Sequence, residues 1–376
     1  GNKTAQGNQD GNDKGDFYYT PPTDYLALCT DNLSAELDIT LPGEYFNTIL
    51  YTGDGGVTQA ETGVGFSPDF VWIKDRDSAY PHNLWDTVRG VQKLLESNST
   101  GAESTQTDML NVFDADGFTH GNQNAIGKSG DDYVAWNWKA GGSGSANTDG
   151  TISSTVSANT TAGFSIVSYT GTGSAGTIGH GLSVAPQMII TKKRSGTDAW
   201  AVGSAEVGWT KYAFLNSAIA WATSTAYWND TPPTASVFSV NDAGETNGTV
   251  DATYIAYCFQ GVEGYSKLGT YTGNANADGA FVYTGFRPAF LFLREYTAGD
   301  DFGIYDWKRY GYNNDTSGNA VLYPAYSQAG AAEASRALDI LSNGFKLRTS
   351  NPTFNPSATV MYYAVAKSPF KYSNAR

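Results

Sequence analysis

A proline followed by an apolar run that ends in a base occurs three times in this chain. The segments read Pro68-Asp-Phe-Val-Trp-Ile-Lys74, Pro186-Gln-Met-Ile-Ile-Thr-Lys192 and Pro288-Ala-Phe-Leu-Phe-Leu-Arg294. A Tyr-Thr-Gly tripeptide stands at a constant distance before each, with Tyr51, Tyr169 and Tyr271 all 17 residues ahead of their prolines. Downstream come Ala102-Glu-Ser-Thr105, Ala222-Thr-Ser-Thr225 and Ala332-Glu-Ala-Ser335. Each set closes on an aromatic-rich run: Tyr133-Val-Ala-Trp-Asn-Trp138, Tyr254-Ile-Ala-Tyr-Cys-Phe259 and Tyr362-Tyr-Ala-Val-Ala-Lys367. Four markers in one order, three times over, mean that one structural unit is repeated, and every fold assignment has to respect that period.

The Pro-led runs are too short for helices and rich in β-formers, so they read as strands with proline at the entrance. Asp114-Ala-Asp-Gly-Phe118 and Ser342-Asn-Gly-Phe345 place Asp-Gly and Asn-Gly before an apolar residue, the signature of a hairpin. Thr87–Ser97 has partial helical periodicity, but its counterpart Gly208–Ser217 is strand-like, so no helix is expected there; 329–338 is the better place for one short helix. Gly171-Thr-Gly-Ser-Ala-Gly176 reads as a glycine-rich hairpin loop. The expectation is an all-β chain of three tandem β-sandwich units, over 45–140, 163–262 and 263–376, behind an extended arm over 1–44. Residues 141–162, nearly uncharged and rich in Gly, Ser and Thr, read as a flexible linker that favours independent units in a row. A single body with pseudo-threefold symmetry is the alternative. The short connection over 261–268 predicts that the second and third units pack together.

Charge narrows the function. Thirty-seven acidic against 23 basic residues give a net charge of −14, and no Lys/Arg cluster occurs. Binding to nucleic acid or to an anionic membrane surface is therefore not expected, nor is insertion into a membrane, since no apolar run approaches the roughly 18 residues of a span. No charged-then-apolar leader opens the chain, so it reads as mature, a fragment, or never exported by a signal route. Cys29 and Cys258 are expected as free thiols of a protein assembled in cytosol.

Few motifs carry chemistry. Only His82, His120 and His180 are available as imidazole bases, and no serine sits in a nucleophile elbow. Gly171–Gly176 matches a dinucleotide fingerprint without the helix that must follow it, and Gly127-Lys-Ser129 lacks the leading glycine of a phosphate loop. Asn274, Asn276 and Asp278 copy the start of a calcium loop, but Gly285 stands where a bidentate glutamate is needed. No cofactor is expected; a loose calcium cage at those three residues, or at Asp114 and Asp116, is the weaker reading beside a polar turn. Aromatic residues in polar loop contexts are the better binding candidates: Tyr80 with His82, Trp209, Trp221, Trp228, and Tyr310 with Tyr312. A sugar stacks its apolar face on such rings while neighbouring polar groups take its hydroxyls. The alternative is that these rings cover sheet ends or contacts between units.

Phe17-Tyr-Tyr-Thr-Pro-Pro-Thr-Asp-Tyr-Leu-Ala-Leu-Cys-Thr-Asp-Asn-Leu33 resembles the stretch that closes a SPRY-type, concanavalin-like sandwich in marine bacteriophage virion proteins. Gly65–Lys74, Tyr133–Lys139, Gly163–Gly171, Val262–Lys267 and Ser368–Arg376 resemble the tandem region that follows it in those proteins. The resemblance implies a structural, tail-fibre-like protein on the virion exterior, a sandwich domain upstream of this segment, and no established catalytic residues. The partners it implies are other virion proteins, copies of the chain in a homotrimer unless the internal triplication serves as a pseudo-trimer, and host-surface glycans. The competing expectations are a purely architectural decoration or connector protein, and an enzyme that degrades surface polysaccharide.

Overall fold

The computed structural model describes residues 3–23, 25, 27, 39–309, 321–330 and 334–369. The chain divides into two compact units, Gly1–Asp38 and Ile39–Arg376. In the first, Asn8 and Phe17 pair across a turn, and Asp10 ties it by accepting the backbone N–H groups of Asn12, Lys14 and Ala27. Residues 8–17 thus fold back on themselves, where the sequence suggested an extended arm. Carboxylate-to-amide bonds supply the order that this polar segment cannot obtain from a core.

The second unit is almost wholly β. Its first repeat contains β1 (Phe46–Thr52), β2 (Gln59–Thr62), β3 (Phe70–Asp75), β4 (Asn83–Asp86), β5 (Lys93–Glu96), β6 (Ser104–Thr105), β7 (Leu110–Asp114), β8 (Gly117–His120) and β9 (Asp132–Trp138). The second contains β10 (Ser145–Asn147), β11 (Ser154–Asn159), β12 (Phe164–Thr170), β13 (Gly176–Gly179), β14 (Met188–Lys193), β15 (Trp200–Ser204), β16 (Lys211–Phe214), β17 (Ala222–Thr223), β18 (Val237–Val240) and β19 (Thr253–Phe259). The third contains β20 (Ser266–Thr272), β21 (Phe281–Tyr283), β22 (Phe286–Glu295), β23 (Gly303–Asp306), β24 (Leu338–Leu341), β25 (Gly344–Leu347) and β26 (Thr359–Pro369). Single-turn helices at Asn124–Gly127 and Thr225–Trp228 and 3-10 turns at Pro42–Glu44 and Ala334–Arg336 complete its described elements; the last lies within the segment expected to be helical.

Topology confirms the triplication. The main sheets share one strand order, β1-β9-β3-β4, β12-β19-β14-β15 and β20-β26-β22-β23, all antiparallel. A smaller sheet lies over each: β2-β8-β7, β13-β18 and β21-β25-β24. The two Asx-Gly segments are the hairpins β7–β8 and β24–β25. Gly171–Gly176 instead carries the chain from a main sheet to a small one, because β12 pairs with β11 and β19 and β13 pairs with β18. Each Tyr-Thr-Gly tyrosine is buried and donates to a distant carbonyl of its own repeat: Tyr51 to Ile126 O (2.8 Å), Tyr169 to Thr246 O (2.5 Å), Tyr271 to Phe354 O (2.5 Å). Pairing also corrects the alignment of the closing strands. Tyr51 faces Tyr133 and Tyr169 faces Tyr254, but Tyr271 faces Val360, so Trp136, Tyr257 and Tyr363 are the equivalent residues. The slip by two escapes the sequence because a shift of two keeps every side chain on its face.

Successive strand residues point to opposite faces, and here both faces are buried. On β9, Tyr133 and Ala135 face the first repeat's own core while Val134, Trp136 and Trp138 face a second one. On β19 the division is Tyr254, Ala256 and Cys258 against Ile255, Tyr257 and Phe259; on β26 it is Tyr362 and Ala364 against Met361, Tyr363 and Val365. The inward sets of all three repeats form one common core. A cavity of about 20 Å³ lies in it, lined by three residues from each repeat, Trp138, Phe259 and Phe290 among them.

The repeats therefore build one body, where the sequence favoured units in a row. The segment read as a flexible linker supplies β10 and β11, which extend the second main sheet beyond β12. Seams close in cyclic order. Between the first and second repeats, Tyr257 donates to Asp86 (2.8 Å), Arg194 grips Glu103, and Lys192 donates to Thr100 O (3.1 Å). Between the second and third, Arg294 donates to Phe214 O (2.8 Å) and to Ile219 O, with its guanidinium over Phe302. Between the third and first, Trp136 donates to Asp306 (3.1 Å), Ser97 to Pro324 O and the Gly330 amide to Arg76 O. A head-to-tail contact that returns to its start makes a ring, and here the ring closes within one chain.

Candidate functional site

The base at the end of each Pro-led strand occupies one register in all three repeats, with Lys74 opposite Val134, Lys192 opposite Ile255 and Arg294 opposite Met361. All three are fully buried and donate to backbone carbonyls. Burial pushes Lys74 and Lys192 down to about 8 and Arg294 down to about 10. The unfolded chain therefore holds more protons than the folded one from about pH 8 up to the ordinary lysine range, and stability rises with pH there, by about 3 kcal/mol per lysine. The buried phenols of Tyr51, Tyr169 and Tyr271 are held well above their ordinary value and reverse the trend above about pH 10, where only the unfolded phenols ionise. A urea midpoint is expected to climb from about pH 8 and then fall. Replacing Lys74 and Lys192 by methionine should flatten the climb.

Beyond these bases, each repeat gathers carboxylates at its loops. In the first, the Asp75 carboxylate accepts the amides of Asp77 (2.8 Å) and Ser78 (2.7 Å), and its second oxygen is buried without a partner. Ser78 Oγ donates to Asp131 (2.6 Å), and Lys128 Nζ lies 2.8 Å from Asp131 and 3.3 Å from Ser78 Oγ. Burial, with Asp131 nearby, holds Asp75 above the usual carboxylate range, whereas hydrogen bonds from Lys128 and Ser78 hold Asp131 below it. Tyr80, half-buried, leaves the same turn, its N–H donating to Ser78 O (3.0 Å). In the second repeat, Lys193 Nζ binds Asp198 and Thr249 (both 2.9 Å), and burial raises Glu245 beside Asp198 and Tyr227. In the third, burial and Glu295 raise Asp300, while a hydrogen bond to Asp301 pushes the exposed Tyr326 up to about 12.

This arrangement offers hydroxyl-rich ligands an amine, a carboxylate, a hydroxyl and a phenol ring. It is poorly built for paired-carboxylate hydrolysis, because Asp75 is enclosed and bound to its own turn.

Of the described residues singled out in the sequence, Tyr80 alone adjoins a cluster. His82 is fully buried, stacked on Trp136, and accepts from Trp72 Nε1 (2.9 Å). Trp209 and Trp228 meet edge-to-face in the second repeat's own core, and Trp221 lies in the common core against Phe302 and Arg294. These rings are packing, not platforms. Tyr310 and Tyr312 lie outside the described residues. Asn274, Asn276 and Asp278 form a chain of side-chain-to-amide turns, with Asn355 donating to Asn274 and Lys346 paired to Asp278 (2.6 Å), so the polar-turn reading describes them. Asp116 spends its oxygens on the amides of Gly63 and Gly65, and Asp114 accepts from Thr119. Among the described residues no group of three His, Cys, Asp or Glu is placed to hold a metal. Cys258 is a buried free thiol, pushed up to about 12 by burial; Cys29 lies outside the described residues. Asp75 and Asp131 carried no motif, being brought together only by the pairing of β3 with β9.

Fold and loops together define an all-β protein of sandwich type in which three repeats share a core and each gathers carboxylates at its loops. The chain belongs to the family described as a domain of unknown function, DUF7483, whose model matches residues 41–369 and so takes in all three repeats as one unit. No curated protein and no solved structure matches it.

Proposed function

We propose that the chain is a structural protein of a bacteriophage particle, a tail-fibre-like appendage that touches host-surface glycans through its three loop clusters. The observation that carries this reading is the loop cluster of the first repeat, where Asp131, Lys128 and Ser78 lie together beside the half-buried Tyr80, with carboxylates also gathered at the loops of the other two repeats. Weak contacts repeated on a rigid frame gain by effective concentration, with no strong single site required. The resemblance of residues 17–376 to marine phage virion proteins supports the setting, and the acidic surface suits a soluble, exposed part.

The test is binding of fluorescently labelled chain to bacteria on which such a phage adsorbs, with and without periodate oxidation of their surface sugars. Binding is expected, and oxidation is expected to abolish it. Combining Tyr80→Ala with Asp131→Asn should weaken binding by about tenfold through loss of one contact in three. Binding that survives oxidation would defeat the glycan reading.

A second reading, a purely architectural connector, is favoured by the interior placement of Trp209, Trp221 and Trp228. It predicts no affinity for cells at all.

A further inference from the structure

The small sheets of the three repeats are alike in backbone but not in what they show to solvent. In the third, Val282, Phe345 and Ile340 turn into the core, so Phe281 and Tyr283 on β21, Gly344 and Lys346 on β25, and Asp339 and Leu341 on β24 take the outward face. Pairing sets them in two rows, Phe281–Lys346–Asp339 and Tyr283–Gly344–Leu341. Phe281 is 48% and Tyr283 54% exposed. Gly344 has no room for a side chain, since a Cβ there would meet Val282 O at 2.0 Å. Neighbouring strands lie about 4.8 Å apart, so Tyr283 and Leu341 stand roughly 10 Å from each other across a gap floored by backbone. Lys267 donates to Tyr283 O (3.0 Å) with its ammonium 5.5 Å from the ring centre, which holds the ring in place. Beside the rings, Lys346 pairs with the exposed Asp278 (2.6 Å).

The fold does not demand these rings. By register, Phe281 and Tyr283 correspond to Ala60 and Thr62 in the first repeat and to Thr177 and Gly179 in the second. Two half-exposed rings offer about 200 Å² of apolar area, far below the roughly 800 Å² that a stable protein interface takes from each side. A pyranose needs no more than that, being apolar on one face and hydroxylated around its rim. We propose that this face of the third repeat is a subsite for one neutral pyranose unit of a glycan, stacked on Phe281 and Tyr283 with its hydroxyls taken by Lys346 and Asp278. The subsite rests on the glycan reading for its ligand and adds a contact that the loop clusters do not include.

The probe is the surface polysaccharide released from the bacteria of the cell-binding test. The full chain is run through gels that contain it, and in parallel its tyrosines are nitrated with tetranitromethane and mapped by mass spectrometry. Retardation in the gel is expected, with Tyr283 shielded from nitration by the polysaccharide and the exposed Tyr19 not shielded. Phe281→Ser combined with Tyr283→Ser should weaken the affinity about fivefold at unchanged melting temperature, because both side chains are exposed. Phe281→Tyr combined with Tyr283→Phe keeps both rings and should keep the affinity. Equal affinity of the serine variant, or nitration of Tyr283 unaltered by the polysaccharide, would overturn the subsite, while cell binding that oxidation abolishes would still uphold the glycan reading. If the unchanged chain binds neither the polysaccharide nor the cells, both fall.

Discussion

Replacing Arg89 by leucine is expected to cost about 3–5 kcal/mol of unfolding free energy, the largest effect of any single exchange at a seam. Arg89 is enclosed and uses its whole fork: Nε to Asp86 (2.5 Å), Nη1 to Lys93 O (2.7 Å) and Glu103 (3.2 Å), Nη2 to Leu84 O (3.0 Å) and Tyr257 (3.3 Å). Removing it strands the buried Asp86 carboxylate and two carbonyls at once. Urea denaturation read by tryptophan fluorescence measures the loss. Pairing Arg89→Leu with Asp86→Leu should recover part of it, because a buried charge without its partner costs more than no charge at all. A loss below about 1 kcal/mol would mean that this seam opens to water. The third repeat copies the arrangement with Asp306 and Arg309 against Trp136, whereas the second has Ser204 where Asp86 stands in the first. The two ionic seams are thus expected to be more sensitive to single substitutions than the seam between the second and third repeats.

Residues 163–262 produced alone are expected not to form a stable monomer. The inward face of that repeat carries Ile166, Met188, Ile190, Trp200, Ile255, Tyr257 and Phe259, all buried by the other two repeats in the complete chain. A contiguous apolar face of that size drives association when exposed. Residues 39–376 should instead unfold in one cooperative transition, since the repeats share a core. Size-exclusion chromatography with calorimetry decides the matter. A monomeric excised repeat with its own sharp transition would restore the picture of independent units.

Much of this architecture is legible in the chain. The period, the strands, both Asx-Gly hairpins and the buried Tyr-Thr-Gly tyrosines follow from local patterns, because strand alternation and turn chemistry act over a few residues. The linker misled for a physical reason: Gly, Ser and Thr lower the cost of disorder but also tolerate a strand whose partner edge comes from elsewhere, and β12 supplies that edge to β11. The rings at Trp209, Trp221 and Trp228 stand among polar residues in sequence and inside cores in space. Burial is a property of what folds over a residue, and that comes from distant parts of the chain.

By itself, then, the sequence determined an all-β protein built three times from one unit, with strands at marked places. Only the tertiary structure decided that the units close into a ring around a common core. It also brought Asp75 to Asp131. Alternation tells which residues share a face, but a face buried by its own repeat and one buried by the next carry the same apolar residues. The difference lies in long-range packing, to which local pattern is blind.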